Sequence, residues 1–229
     1  MRRALLVTAV VLALLAVGGW VADNAVRSAA EDRAAAAVQA RLALEQKPEV
    51  TLGGFPFSLA FLTRSVPGAR AGAARVPLTV SGHTLHATGV RVETGTIRLV
   101  GEDVQAERVD ATGVLGYREL SILAGVPVSW AGEGRVGLVY TATISNLPVN
   151  VGVTAVPVLD RKAGVIRLTR PELDPKAAPS VPVSASEVRR IAKDIPVQLP
   201  TGAELSGLTV SEGGLAVAVR IAEVTVPFR

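Results

Sequence analysis

The feature that most constrains the fold of this chain is an alternation of apolar and polar residues with a period of two, which recurs through the sequence after residue 76. Because successive side chains of a β-strand point to opposite faces, this pattern predicts strands with one buried face. Turn residues recur every eight to fifteen residues or so, a spacing that favours an antiparallel meander over helical crossovers. The clearest such strand carries Val136, Leu138, Tyr140, Ala142 and Ile144.

The composition favours the same fold class. Hydrophobic residues make up 49% of the 229 residues and aromatic residues only 3%, so Ala, Val and Leu supply most of the apolar volume. Val-rich segments punctuated by Gly favour sheet over helix. We therefore expect an α+β protein in which a long antiparallel sheet packs against an N-terminal helix. A short helix is expected over residues 117–124, and a late amphipathic helix follows a capping-box spacing and carries Val188, Ile191, Ala192 and Ile195.

The N-terminus directs the chain to a membrane. Arg2 and Arg3 precede an uncharged run, Ala4–Val21, which would form roughly 27 Å of helix at about 1.5 Å per residue, near the minimum for a bilayer span. Bulky residues near the end of the run disfavour cleavage. We expect residues 1–22 to anchor the protein in the plasma membrane and residues 23–229 to form an extracytoplasmic domain. Cleavage would instead release a secreted or periplasmic domain.

Residues 23–47 contain no Pro or Gly and are rich in Ala, which predicts a long helix that Pro48 ends. Residues at every fourth position predict a buried apolar stripe of Val26, Ala30, Ala34, Val38 and Leu42. The remaining faces carry charges balanced in sign, which indicates contact with solvent: Arg27, Glu31, Asp32, Arg33, Arg41 and Glu45.

Three of the eight aromatic residues of the chain lie in residues 53–62, directly after this helix. Gly53 and Gly54 allow the backbone to turn, and Pro56 restricts it, so the segment reads as a rigid corner. We call residues 53–62 the corner. Two interpretations remain open at this point: a plug for the core, or a ligand-facing element that lines or gates an apolar groove with Phe55, Pro56, Phe57, Phe61 and Leu62.

Residues 64–75 read as a loop that carries Arg64, Arg70 and Arg75 and no acid. Guanidinium groups match phosphate oxygens, so these residues are candidates for contact with a lipid head group, and a solvated loop is the alternative. The net charge of +4 and the pI near 9.9 suit an anionic membrane surface. The basic residues are interspersed with acidic ones, which argues against a nucleic-acid partner.

No pattern for catalysis accompanies these features. The sequence has no nucleophile elbow, phosphate-binding loop or dinucleotide fingerprint, and it has no cysteine. His83 and His86 are three residues apart, so on a strand they point to opposite faces and do not share a metal ion. We expect no enzyme activity, no metal and no cofactor.

The order of these parts, with Gly54-Phe55-Pro56-Phe57 and the later Gly214-Leu215-Ala216-Val217, resembles the LmeA-like phospholipid-binding family of actinobacterial cell envelopes. The chain departs from the family pattern at Ser58, where Leu is usual, and at Gly68-Ala69-Arg70-Ala71, which lacks an acid. The resemblance implies an extracytoplasmic phospholipid-binding protein that supports lipid or lipoglycan biogenesis. It also implies a fold similar to tubular lipid-binding domains, in which a curved antiparallel sheet wraps a helix and leaves an apolar groove.

An apolar groove would bind acyl chains, since each buried methylene contributes about 0.8 kcal/mol. Candidates for the groove wall, in addition to the corner, are Val90, Val92, Leu138 and Tyr140. The expected partners are a phospholipid, with anionic head groups favoured, and the plasma membrane. The alternative is a non-catalytic adaptor that scaffolds an envelope enzyme, with an interior that packs shut.

Overall fold

The structure is a computed structural model. It describes residues 2–54, 56–80, 82–144, 147–161, 165–175, 186, 188, 195–196 and 202–227. For residues 2–21, 61, 142, 144, 147, 195–196 and 226–227 the description covers the backbone alone. The expected late helix therefore lies outside the described residues, apart from Ser186 and Val188 and the backbone of residue 195.

Within these residues the helices are α1 (Arg2–Leu42), α2 (Ser58–Thr63) and α3 (Tyr117–Ala124). An eight-stranded sheet contains β1 (Glu49–Leu52), β2 (Ser65–Val66), β3 (Ala69–Val80), β4 (His83–Thr94), β5 (Ile97–Val100), β6 (Asp103–Leu115), β12 (Ala203–Ser211) and β13 (Gly214–Pro227). A five-stranded sheet contains β7 (Val128–Trp130), β8 (Val136–Ile144), β9 (Leu147–Asp160), β10 (Val165–Leu173) and β11 (Ile195–Pro196). Antiparallel pairing dominates, which confirms the α+β class.

The strands differ from the expected meander in how they are partnered. The larger sheet has the order β1-β3-β4-β6-β13-β12, with β5 beside β6 and β2 beside β5, and the smaller has the order β11-β10-β9-β8-β7. In the smaller sheet each strand lies beside the strand that precedes it in the sequence, as in a meander. In the larger sheet β13, the last strand of the chain, lies beside β6. Alternation along a sequence identifies strands and their buried faces, but it does not say which strand lies next to which. This is why two sheets replace the single one we expected.

The chain divides into two compact units. The first contains Met1–Gly72, Val92–Val109 and Glu223–Arg229, and the second contains Ala73–Arg91 and Asp110–Ala222. In the second unit, the five-stranded sheet packs against α3 and the β12–β13 hairpin. Their shared core is Leu120, Val128, Val136, Leu138, Ala155, Ile166, Leu168 and Leu215. A smaller cluster joins Val151, Val153 and Val188, with Tyr140 and Leu173 packed against it.

In the first unit, α1 continues without a break through residue 22, the boundary expected between anchor and domain. It ends at Leu42, before the predicted stop at Pro48. Ala43 adopts a left-handed conformation, and Leu44 donates its N–H to the Gln39 carbonyl at 3.0 Å. This is a Schellman-type ending, with alanine where glycine is usual, and it lets Leu44 bury its side chain. Among the residues whose side chains are described, no helix is long and apolar enough to cross a membrane.

The predicted apolar stripe on α1 is half-buried at Ala30, Ala34 and Val38 but wrong at its two ends. Val26 is 42% exposed and Leu42 is 48% exposed, whereas Ala35 and Asp23 are buried. The helix packs against β1 and α2. The faces of an Ala-rich helix differ little in hydrophobicity, so the few larger apolar residues did not identify the buried face correctly.

The predicted arginine loop over residues 64–75 is also wrong. Arg64 follows the last residue of α2, and β3 begins at Ala69. Thr51 of β1 lies opposite Arg70, and Leu52 lies opposite Ala69. Pairing with β1 therefore makes a strand of a segment whose many small residues suggested a loop.

Candidate functional site

The corner makes its turn at Gly54, as the sequence predicted. Gly54 has a φ of +100°, and a Cβ atom added there would lie 2.9 Å from Cδ of Pro67. The preceding Gly53 donates its N–H to the Gly68 carbonyl at 2.7 Å. A side chain at Gly54 would be strained by conformation and by contact alike, so only glycine fits this position without adjustment.

A buried carboxylate fixes the next part of the corner. Asp23 of α1 is the only polar or charged side chain that is buried among the residues the structure describes. Its Oδ2 accepts a hydrogen bond from the Phe57 N–H at 2.8 Å, and its Oδ1 accepts one from the Ser58 N–H at 2.7 Å. These two N–H groups stand at the start of α2, where helical backbone donors have no partner within the helix. The carboxylate of Asp23, which belongs to α1, therefore caps the N-terminus of α2.

The same contacts keep Asp23 ionised. The hydrogen bond from the Phe57 N–H is the largest influence that lowers the pKa of Asp23 below its ordinary value of 3.8. Hydrogen bonds from Ser58 and the charge of Arg27 lower this pKa further, while burial opposes them. Ser58 contributes its side chain as well as its N–H. A leucine at this position would lack that donor.

Two further residues of α1 hold the corner. Arg27 donates from Nη2 to the Gly54 carbonyl, and its guanidinium carbon lies 5.8 Å from the centre of the Phe57 ring, within cation–π range. The same Nη2 atom lies 3.9 Å from Oδ2 of Asp23. One turn later, Oε1 of Glu31 accepts the Leu52 N–H at 2.8 Å. We call Asp23, Arg27 and Glu31 the latch.

Sequence reasoning missed the latch, although a signal for it exists. Its three residues are four positions apart, so they share one face of α1. Arg27 and Glu31 were assigned to a solvated surface because charges on an Ala-rich helix usually face water. The spacing could have shown that the charges are aligned. It could not have shown that they face backbone N–H and C=O groups of the corner and of Leu52, the residue before it.

The aromatic and apolar residues of the corner divide between core and solvent. Phe57 is only 4% exposed, which agrees with the core-plug interpretation for this residue. Pro56 is exposed, and Leu62 is 81% exposed on α2. Phe55 lies outside the described residues, as does the side chain of Phe61. Their contact with lipid stays a prediction.

The four candidates for a groove wall occupy different environments. Val90 and Val92 on β4 are half-buried. Leu138 is 1% exposed and belongs to the large core of the second unit. Tyr140 is half-buried and packs against both core clusters of that unit. Val92 belongs to the first unit and the other three to the second, so the structure does not test whether they form one wall.

The three candidate head-group arginines are exposed but do not share one loop. Arg64 has a φ of +50°, and its N–H bonds back to the Ala60 carbonyl. Nε of Arg70 pairs with Oε1 of Glu93 at 3.1 Å across two exposed side chains, an interaction worth about 0–1 kcal/mol. Arg75 lies further along β3, in the second unit. A role for them at a head group stays a prediction.

The described residues contain no group of three or more His, Asp or Glu that could hold a metal ion. His83 and His86 lie on β4, as expected from the alternation around them.

Comparison with known proteins gives one match. Residues 21–220 match a family model described as LmeA-like phospholipid-binding. The matched range begins just before Asp23 and includes the corner, the smaller sheet, and the larger sheet up to the middle of β13. No curated protein matches the chain, and no solved structure does.

Proposed function

Because the chain belongs to the LmeA-like phospholipid-binding family, we propose that it is a membrane-anchored, extracytoplasmic protein that binds a phospholipid without catalysis. We further propose that it serves cell-envelope lipid or lipoglycan biogenesis. The observation that carries this proposal is the family match, which extends over nearly all the residues after the expected anchor. The latch supports the proposal, because its hydrogen bonds to Gly54, Phe57 and Ser58 hold the Gly-Phe-Pro-Phe motif against α1.

The course of α1 supports the proposed anchor. The uncharged run Ala4–Val21 and the latch belong to one continuous helix. With Arg2 and Arg3 retained on the cytoplasmic side, residues that follow the run lie outside the membrane.

The distribution of charge supports an anionic lipid. Residues 50–92 contain no Asp or Glu and four arginines, Arg64, Arg70, Arg75 and Arg91. Their four positive charges equal the net charge of the whole chain, which is +4. This stretch includes the corner and β4 up to Val92, so positive charge is concentrated in the part of the sequence assigned to lipid. Glu93, the next residue of β4, pairs with one of the four, Arg70.

Native mass spectrometry of the full chain, purified in detergent from a bacterial host, tests the proposal. We expect one retained phospholipid per chain after the detergent is removed. Val90→Trp adds a large ring at a half-buried groove candidate and should reduce the fraction of lipid-bound chains. Val158→Trp is the matched control, because Val158 is 46% exposed on β9, and it should leave that fraction unchanged.

A chain that carries no phospholipid, even after incubation with vesicles of phosphatidylglycerol, would contradict the proposal. If that chain instead co-purified in fixed ratio with one envelope enzyme, the adaptor alternative would replace it. Equal loss of lipid in both tryptophan variants would remove Val90 from the binding site while leaving lipid binding itself in place.

A further inference from the structure

Helix α2 carries the most exposed large apolar side chain among the described residues. Leu62 is 81% exposed, and Leu59, three positions earlier on the same face, is 49% exposed. Pro56 precedes them and is also exposed. Adjacent exposed apolar residues indicate a surface that a membrane or another molecule covers.

A second segment extends this surface. The N–H of Leu99 donates to the Arg64 carbonyl at 3.0 Å, which places the end of β5 beside the end of α2. Leu99 is 38% exposed and Val100 is 50% exposed. All these residues belong to the first unit. Val100 points to the opposite face of β5 from Leu99, so we call the following four residues the apolar patch: Pro56, Leu59, Leu62 and Leu99.

The latch sets the position of the apolar patch along α1. Asp23 bonds the N–H groups of Phe57 and Ser58, at the start of α2. Asp23 is two residues beyond the end of the uncharged run at Val21, or about 3 Å along the helix axis. If the run spans the bilayer, α2 is therefore held at the level where α1 leaves the lipid.

We propose that the apolar patch docks on the outer surface of the same phospholipid bilayer, with α2 leading and Leu62 deepest. This inference rests on the proposed anchor, and it adds a second membrane contact that neither the anchor nor lipid binding requires. It gives the latch a role in holding the corner at the bilayer, where a phospholipid would enter the protein.

The charges around the patch agree with this orientation. Arg64 is the only charged residue among residues 50–69, and it follows α2 directly. An arginine beside interfacial leucines can pair with lipid phosphates while the leucines enter the acyl region. Glu102 lies in the turn after β5, and Asp103 is the first residue of β6. Their charge disfavours deep entry at that end of the patch.

Site-directed spin labelling of the full chain tests the docking, and the absence of native cysteine makes single labels specific. The chain is reconstituted into vesicles of phosphatidylglycerol and phosphatidylcholine in equal parts, after labelling at Leu62→Cys. Leu42→Cys is the matched control: it is an exposed leucine of the first unit, about 30 Å along α1 from Val21. Collisions with oxygen report lipid, and collisions with a water-soluble nickel chelate report water.

We expect oxygen collisions to dominate at position 62 and nickel collisions to dominate at position 42. Adding Asp23→Asn to the Leu62→Cys chain should raise nickel access at position 62, because the released α2 no longer stays at the interface. Dominant nickel collisions at position 62, as at position 42, would overturn the proposal.

The docking and the proposed function fail in different measurements. A label at position 62 that resides in lipid, on a chain that retains no phospholipid in native mass spectrometry, would support docking and refute phospholipid binding. A chain that retains one phospholipid but shows water at position 62 would refute docking and leave phospholipid binding intact.

Discussion

Asp23 shows how one side chain can connect two distant segments of the sequence. It is 34 residues from Phe57 in the chain, yet its carboxylate replaces water with two backbone N–H donors at the start of α2. A buried carboxylate is stabilised only where such donors and a nearby cation compensate for lost hydration. Phe57, Ser58 and Arg27 together provide that compensation.

Asp23→Asn should lower the melting temperature of the full chain at neutral pH. An Asn amide has one acceptor oxygen for two N–H groups, and its NH₂ group would face one of these donors. Asp32→Asn is the control on the same helix, because Asp32 is 69% exposed and pairs with the exposed Lys47; it should change stability by about 0–1 kcal/mol. Equal effects of the two substitutions would contradict the structural role of Asp23.

The effect of Asp23→Asn should depend on pH. The folded pKa of Asp23 is depressed, so its ionised form contributes stability above the unfolded value, near 3.8, and this contribution is lost as pH falls through the folded pKa. The gap in melting temperature between wild type and Asp23→Asn should therefore shrink below about pH 4. A gap that stays constant down to the acid limit of folding would show that the charge is not responsible.

At the scale of elements, the sequence predicted strands and helices better than it predicted their ends and neighbours. Alternation correctly marked β8, and the short helix expected over residues 117–124 is α3. The end of α1 was misplaced because Ala43, rather than a glycine, takes the left-handed position. The segment after Arg64 was assigned to a loop because its small residues carry little strand propensity without the pairing of β3 with β1.

The β12–β13 hairpin offers an element-scale test with a built-in control. Gly214 begins β13 with a φ of +140°, and a Cβ atom there would lie 2.2 Å from the Leu115 carbonyl oxygen. Because both backbone conformation and space exclude a side chain, Gly214→Ala should destabilise the second unit by about 3 kcal/mol or more. At the adjacent Gly213 no atom lies within 4 Å of an added Cβ, so Gly213→Ala should change stability by about 0.5 kcal/mol or less.

Thermal melting followed by circular dichroism would compare the two variants. Similar melting temperatures for Gly214→Ala and wild type would contradict the close approach of β13 to the end of β6.

For the whole molecule, the sequence indicated the family, because the Gly-Phe-Pro-Phe motif is local and distinctive. The sequence did not indicate the backbone contacts of the latch or the position of the apolar patch. Both depend on contacts between segments far apart in the chain, such as Asp23 with Ser58 and Arg64 with Leu99. The residue types alone predicted the opposite environments, because charged side chains on a helix usually face solvent and leucines are usually buried in the core.

The most direct test of the whole account is to locate bound phospholipid by photo-crosslinking. The full chain would be reconstituted with a phosphatidylglycerol that carries a diazirine in its acyl chain, and crosslinked peptides would be identified by mass spectrometry. We predict crosslinks within residues 53–64 and on β4 around Val90 and Val92, in addition to those along Ala4–Val21. Crosslinks confined to Ala4–Val21 would show that phospholipid contacts only the membrane-spanning segment of the protein. That result would contradict the account.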